Sequence, residues 1–173
     1  MGGSTCVNLT RMLRSGIGYD AHRFAEGRRL VLGGVEIPHA RGLEGHSDAD
    51  VLTHAIADAL LGAIGERDIG HHFPNTDESI RGISSLEILR RVGEILTKNK
   101  CRVSNVDASL IAEAPKIGPH LEAMRAQIAA ALGLDLSCVG IKATTNEGMG
   151  AIGRGEGMAA LAVASVETED RPA

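Results

Sequence analysis

From Ser47 to Ile64 the chain carries one uninterrupted helical pattern, and that pattern limits what the rest can be. Val51, Leu52, Ala55, Ile56, Ala59, Leu60 and Ala63 recur three and four apart and form an apolar side. Asp50, His54 and Asp58 are each four apart and fall on the opposite stripe. Ser47 with Asp50 three residues later resembles a capping box, with Asp in place of the usual Glu. A helix this apolar on one side has to lie against a sheet or against other helices. What it meets there is aliphatic: aromatics are 2% of 173 residues and Trp is absent, so the core is Ala, Val, Ile and Leu.

The flanking segments supply the partners. Ser15 to Tyr19 reads as a strand, and Leu30–Leu32 and Val35–Ile37 flank a Gly33-Gly34 hairpin turn. Ser84 and Glu87 form a second capping-box pattern, opening a helix that runs to about Asn99. Val103 to Ile111 alternates as a strand, and Pro119 to Leu132 is a third helix stopped by Gly133. Val139–Thr144 and Met158–Val166 complete the strands. Together they predict an α+β fold: a mixed four-stranded sheet with helices packed on one face, plus a short β-hairpin. Residues 1–13 read as a frayed extension, 14–167 as a single domain and 168–173 as a tail. Gly65 to Gly82 is a long loop of the kind compact domains keep for function.

Several function classes are excluded. A net charge of -4 and the scarcity of aromatics argue against nucleic acid as a partner. No apolar run is long enough to cross a membrane, and Met1 to Leu13 lacks the apolar stretch of a signal peptide. Cys6, Cys101 and Cys138 are odd in number and far apart, which suits reduced thiols in the cytoplasm.

The chemistry-bearing residues gather around the first helix. Asp20 and His22 stand at i and i+2, so on an extended segment they project from one face. A dense run, His46-Ser47-Asp48-Ala49-Asp50, precedes the helix that carries His54. Asp20, His22 and His54 together make two imidazoles and one carboxylate, leaving a coordination position open as in a catalytic zinc site. The same ligand set suits a non-haem Fe(II) oxygenase, though such sites usually occupy an all-β barrel. A non-catalytic small-molecule binder is a third reading. A helix start beside a cation favours a diphosphate. Asp50 and Asp58 either orient the imidazoles or form an ordinary polar helix face.

Asp68-Ile69-Gly70 and Phe73 to Asp77 read as a lid or pocket wall, with His71 and His72 facing solvent. Lys116, between a strand and a helix, is placed to meet a phosphate. Thr144 and Thr145 offer hydroxyls to phosphate oxygens, and Glu147 offers a carboxylate to Mg²⁺. Arg154 and Glu156 pair with each other or across a subunit interface.

The motifs Gly18-Tyr19-Asp20-Ala21-His22, Gly33-Gly34-Val35, His46-Ser47-Asp48-Ala49-Asp50, Asp68-Ile69-Gly70, Phe73-Pro74, Asn105-Val106-Asp107, Ala114-Pro115-Lys116, Lys142-Ala143-Thr144-Thr145 and Gly153-Arg154-Gly155-Glu156-Gly157 stand in this order. In this the chain resembles the 2-C-methyl-D-erythritol 2,4-cyclodiphosphate synthases of the non-mevalonate isoprenoid pathway. The resemblance runs from about Gly16 to Val166. It implies a homotrimer with active sites between adjacent subunits and a cytidine diphosphate substrate. It implies Zn²⁺ on Asp20, His22 and His54, and a second ion, Mg²⁺ or Mn²⁺, on Glu147. His46 and Thr145 then join the catalytic residues. His46, Ser47, Asp58, Asp68, Gly70, Phe73 and Asp77 match positions that hold the methylerythritol phosphate part. Ala112, Pro115, Lys116, Ala143, Thr144 and Thr145 match the cytidine diphosphate pocket, while Arg154 and Glu156 match residues near the trimer axis, Arg154 counting among the substrate contacts.

Overall fold

The first strand settles the layout because it is far longer than its apolar pattern announces. In the computed structural model, which describes residues 11–169, β1 spans Arg11–Ala25. It is followed by β2 (Leu30–Leu32), β3 (Val35–Ile37), β4 (Gly42–Leu43), α1 (Val51–Ile64), α2 (Ile69–His72) and α3 (Ser85–Lys98). Then come β5 (Cys101–Ile111), α4 (Leu121–Leu132), β6 (Val139–Thr144), α5 (Gly150–Gly153) and β7 (Gly157–Glu169). The main sheet has five strands in the order β4-β1-β7-β5-β6, antiparallel except for the β5–β6 pair, and β2–β3 form a separate hairpin. The expected mixed sheet and hairpin are present. The fifth strand is the two-residue β4, too short to leave a periodic signal.

The expected termini need correction. Arg11 to Leu13, assigned above to the extension, form the first rungs of β1 against Glu167 to Glu169. Thr168 and Glu169, assigned to the tail, belong to β7. Residues 1–10, with Cys6, and 170–173 lie outside the described residues. Cys101 and Cys138 are free thiols.

Helix α1 is the hub of the core. Every residue from Val51 to Leu61 except Asp58 is buried, with β1, β5 and β7 on one side and α3 on another. Leu52, Ile56, Leu60 and Leu61 expose none of their surface, and burial of such a side chain contributes ~1.5–3 kcal/mol. The stripe opposite the apolar side is therefore no solvent face, since Asp50 and His54 are buried too. The helix also starts later than expected. Asp50 is itself the N-cap: its carboxylate accepts from Thr53 N (3.1 Å), Thr53 Oγ1 (2.7 Å) and the hairpin's Gly34 N (2.7 Å). Gly65, left-handed at φ 80°, closes the other end. At α3, Ser84 holds the N-cap position without a side-chain cap bond, and Glu87 pairs instead with Arg90 and Arg91.

The approach of α1 to β1 depends on missing side chains. A β-carbon on Gly16 would lie 2.1 Å from the Ala59 carbonyl oxygen, and one on Gly18 would lie 2.0 Å from that of Ala55. Ala160, Ala162 and Ala164 of β7 bury their small side chains beside them. The opposite face of the sheet carries exposed apolar groups, among them Ile17 (67%) and Tyr19 (62%).

Candidate active site

Gly16, Gly18, Asp20 and His22 share one face of β1, because alternate residues of a strand point the same way. Where the two glycines end, the room between β1 and α1 is filled by Asp20 and His22, and the first turn of α1 delivers His54 to them. The Asp20 carboxylate therefore lies inside a continuous strand. Asp20 Oδ2 lies 2.9 Å from His22 Nε2 and 3.0 Å from His54 Nδ1, and the two nitrogens are 3.3 Å apart. One atom from each residue falls within 4.8 Å of the others, the one such triad of His, Cys, Asp or Glu among the described residues.

This donor set fits a small divalent cation. Tetrahedral zinc, with bonds of about 2.0–2.2 Å, holds its ligand atoms roughly 3.3–3.5 Å apart. The observed separations are within a few tenths of an ångström of that. Burial works to raise the Asp20 carboxyl, but hydrogen bonds from His22 and His54 outweigh it and hold the group well below the ordinary carboxylate range. Burial likewise works to lower His22, yet the hydrogen bond and charge of Asp20, helped by a backbone hydrogen bond at Glu44, raise it.

The triad forms part of the wall of a cavity of about 610 Å³, which His46, Ser47, Asp58, Asp68, Gly70 and Phe73 also line. Asp77 lies outside that lining, in the turn after Pro74. Asp58 does not orient an imidazole. Its Oδ1 accepts from Ile69 N at 2.8 Å and anchors α2, while Asp68 caps α2 through His71 N at 2.9 Å. Burial raises Asp58 above the usual carboxylate range, partly offset by the Ile69 N–H. Asp50, raised by complete burial and by neighbouring Asp48, is spent on its cap and on Gly34. His71 is exposed as expected, but His72 is half-buried, with Nε2 3.5 Å from Glu66 Oε2.

The groups that do support His54 are ones the sequence left unmarked for that purpose. Ser85 Oγ is 2.9 Å and Ser47 Oγ 3.2 Å from His54 Nε2. Arg28 braces the same loop, donating to Gly45 O (2.8 Å) and Ser47 O (2.6 Å). No spacing rule joins Ser85 or Arg28 to the triad.

A second cavity of about 450 Å³ opens at the C-terminal ends of β5 and β6. Ala112, Pro115, Lys116, Ala143, Thr144 and Thr145, drawn from two distant segments, all line it. Just beyond, Thr145 Oγ1 donates to Glu147 Oε1 at 2.9 Å, and Glu147 sits at φ 51°, a left-handed conformation unusual for a side-chain-bearing residue. Glu113 Oε1 accepts from Asn146 N (2.9 Å) and Gly148 N (3.3 Å), cradling the turn that carries Glu147. Arg154 lines neither cavity and pairs with Glu156 at 2.6 Å, the first of the two pairings expected.

Comparison with known proteins agrees with this geometry. The model of the YgbB family matches residues 13–167. The 2-C-methyl-D-erythritol 2,4-cyclodiphosphate synthase of Desulfosudis oleivorans is 56% identical over 158 residues, covering 91% of this chain and 94% of the relative. Among solved structures, the bifunctional IspDF of Campylobacter jejuni superposes with a TM-score of 0.89 at 39% identity; the match covers 93% of this chain, which spans 44% of that longer one. IspF of Plasmodium falciparum in complex with CDP superposes with a TM-score of 0.79 at 32% identity, covering 91% and 97% of the two chains. The chain therefore belongs to the YgbB family, alongside these 2-C-methyl-D-erythritol 2,4-cyclodiphosphate synthases.

Proposed function

We propose that this chain is a phosphorus–oxygen lyase that converts 4-diphosphocytidyl-2-C-methyl-D-erythritol 2-phosphate to 2-C-methyl-D-erythritol 2,4-cyclodiphosphate and CMP. The observation that carries the reading is the convergence of Asp20, His22 and His54 on the wall of a cavity, in a chain of this family. In the reaction the substrate's own 2-phosphate oxygen attacks the β-phosphorus. The bond from that phosphorus to the CMP oxygen breaks, and an eight-membered ring remains. The attacking phosphate is already anionic, so the chain needs no strong base. Its work is to fold a flexible substrate and to offset repulsion between phosphates.

Asp20, His22 and His54 would hold Zn²⁺, and Glu147 would hold Mg²⁺ or Mn²⁺; such ions supply Lewis-acid neutralisation of phosphoryl oxygens. His46, Ser47 and the wall built on α2 are suited to the methylerythritol phosphate part, with Asp58 fixing that wall in place. The second cavity is suited to the cytidine diphosphate part, Lys116 and the Thr144 and Thr145 hydroxyls facing its phosphates. The two cavities share no lining residue, which supports a substrate bridging half-sites from adjacent copies. The apolar outer sheet face, with Ile17, Tyr19, Leu161 and Val163 exposed, supports a homotrimer joined there.

The test is direct. Purified protein incubated with the cytidine substrate and Mg²⁺ should release CMP, read by chromatography. A fully zinc-loaded protein that releases none overturns the reading and favours a binding role. The oxygenase reading loses its support, since the triad lies between a mixed sheet and a helix and the relatives are cyclodiphosphate synthases.

A further inference from the structure

We propose that Asp48, acting through Ser85, sets which nitrogen of His54 faces the cation position, making Asp48 and Ser85 positioning residues for metal capture. The inference rests on the three-ligand reading of Asp20, His22 and His54 and deepens it. Ser85 is completely buried at the first turn of α3. Its backbone N donates to Asp48 Oδ2 at 2.9 Å, and its hydroxyl donates to Asp48 Oδ1. The other side of that hydroxyl faces His54 Nε2 at 2.9 Å.

Hydrogen counting then fixes the polarity. A carboxylate offers only lone pairs, and a serine hydroxyl has a single proton. That proton goes to Asp48, so Ser85 Oγ can present only a lone pair to His54. His54 Nε2 must therefore carry a hydrogen. Nδ1, the atom 3.0 Å from Asp20 Oδ2 and 3.3 Å from His22 Nε2, is then the nitrogen left to face the cation position. Ser47 fits the same scheme: its Oγ accepts from Ala49 N at 3.0 Å and lies 3.2 Å from His54 Nε2, a second acceptor for the same hydrogen. The wrong tautomer would put a hydrogen where the cation belongs and leave the Ser85 lone pair facing a bare nitrogen. The support is itself anchored, since Asp48 N donates to Ile83 O (3.1 Å) and Gly82 N to His46 O (2.8 Å).

Asp48 also ties the start of α3, so Asp48→Asn would lower stability even if it did nothing else. The discriminating measurement is nitrogen-15 NMR of the imidazoles, at about pH 8.5 without metal, where a histidine is ordinarily neutral, and again with Zn²⁺. Wild-type His54 should keep a hydrogen on Nε2 in both. Ser85→Ala and Asp48→Asn should mix or reverse the tautomers, and zinc affinity by chelator competition should fall ~10–100-fold, the usual cost of losing a ligand's supporting partner. A wild-type His54 that carries no hydrogen on Nε2 overturns the proposal without needing any variant. So does a folded Ser85→Ala protein with wild-type zinc affinity. Wild-type protein that takes up no zinc overturns the metal reading beneath it, while its metal-free tautomer still decides the hydrogen-bond network.

Discussion

Gly18 and Ala55 touch backbone to backbone: a β-carbon on Gly18 would lie 2.0 Å from the Ala55 carbonyl oxygen and 2.7 Å from Ala59 N. Neither obstacle is a flexible side-chain end, so Gly18→Ala has to push α1 off β1. Such overpacking costs ~1–3 kcal/mol and occasionally more. At this chain length that lowers the melting temperature by roughly 2–4 °C per kcal/mol. His54 rides on α1 and Asp20 on β1, so zinc affinity should fall in the same variant. Gly62→Ala is the control. Its β-carbon would meet only Ile17 O at 3.7 Å within a helix, so it should be neutral or stabilising by up to ~1 kcal/mol. Equal melting temperatures for the Gly18 and Gly62 variants would refute the argument.

His54→Ala removes one of three converging donors and leaves Ser47 and Ser85 without their imidazole. Zinc content should collapse together with turnover, as metal analysis beside the CMP assay would reveal. A variant that keeps full activity and its metal removes His54 from the ligand set.

Glu147→Gln should separate the two ions. Glu147 is exposed, and its Oε1 accepts from Thr145 Oγ1, a bond that a Gln oxygen can also make. The turn should therefore persist while the charge is lost. Turnover should drop ~10²-fold or more, the scale on which single groups that stabilise developing charge act, and zinc content should stay at the wild-type level. Loss of zinc here, with activity restored by excess Mg²⁺, would contradict the division of labour.

Glu113 cradles that turn from the neighbouring strand end. Glu113→Ala strands the Asn146 and Gly148 N–H groups, at ~1–3 kcal/mol for a buried unsatisfied donor and less where water reaches it. Since Glu147 lies between them at positive φ, turnover should suffer more than melting temperature. Glu113→Gln retains an acceptor oxygen and should recover most of the loss. If Gln is as impaired as Ala, the carboxylate charge matters and not the cradle.

How far the sequence could be read depends on whether a feature is local. Asp20 and His22 were legible because a strand's period of two puts them on one face wherever that strand goes. His54 was legible by residue type. Its surroundings were not: a 3.6-residue period marks an apolar side but cannot say that the other side is buried as well, so Asp50 and His54 read as a polar face. The Ser47–Asp50 box failed for a related reason, because Ser47 Oγ is engaged by Ala49 N and His54 and the cap passes to Asp50. Ser85 is 31 residues from His54, and only the packing of α3 against α1 joins them. The ends of β1 were misread because Arg11 to Leu13 are exposed there and owe their order to hydrogen bonds with β7, which leave no apolar pattern.

Asp58 offers a prediction in which stability and function move apart. Burial raises its carboxyl above the ordinary range, the Ile69 N–H only partly offsetting this. For an acid with a raised folded-state value, the folded form binds the extra proton, so stability falls as pH rises through the titration. The penalty is complete above the folded value and absent below the unfolded one, near ~4. Asp58→Asn keeps an oxygen for Ile69 N and removes the charge. It should therefore melt higher than wild type at pH 7, and the gap should close as the pH is lowered past about 4. If the wall anchored by Asp58 serves the substrate, turnover should fall in this more stable protein, a trade expected where a group is retained for function at a cost in stability. A variant that melts lower than wild type at pH 7 would mean that Asp58 is held as a favourable anion, contrary to its burial.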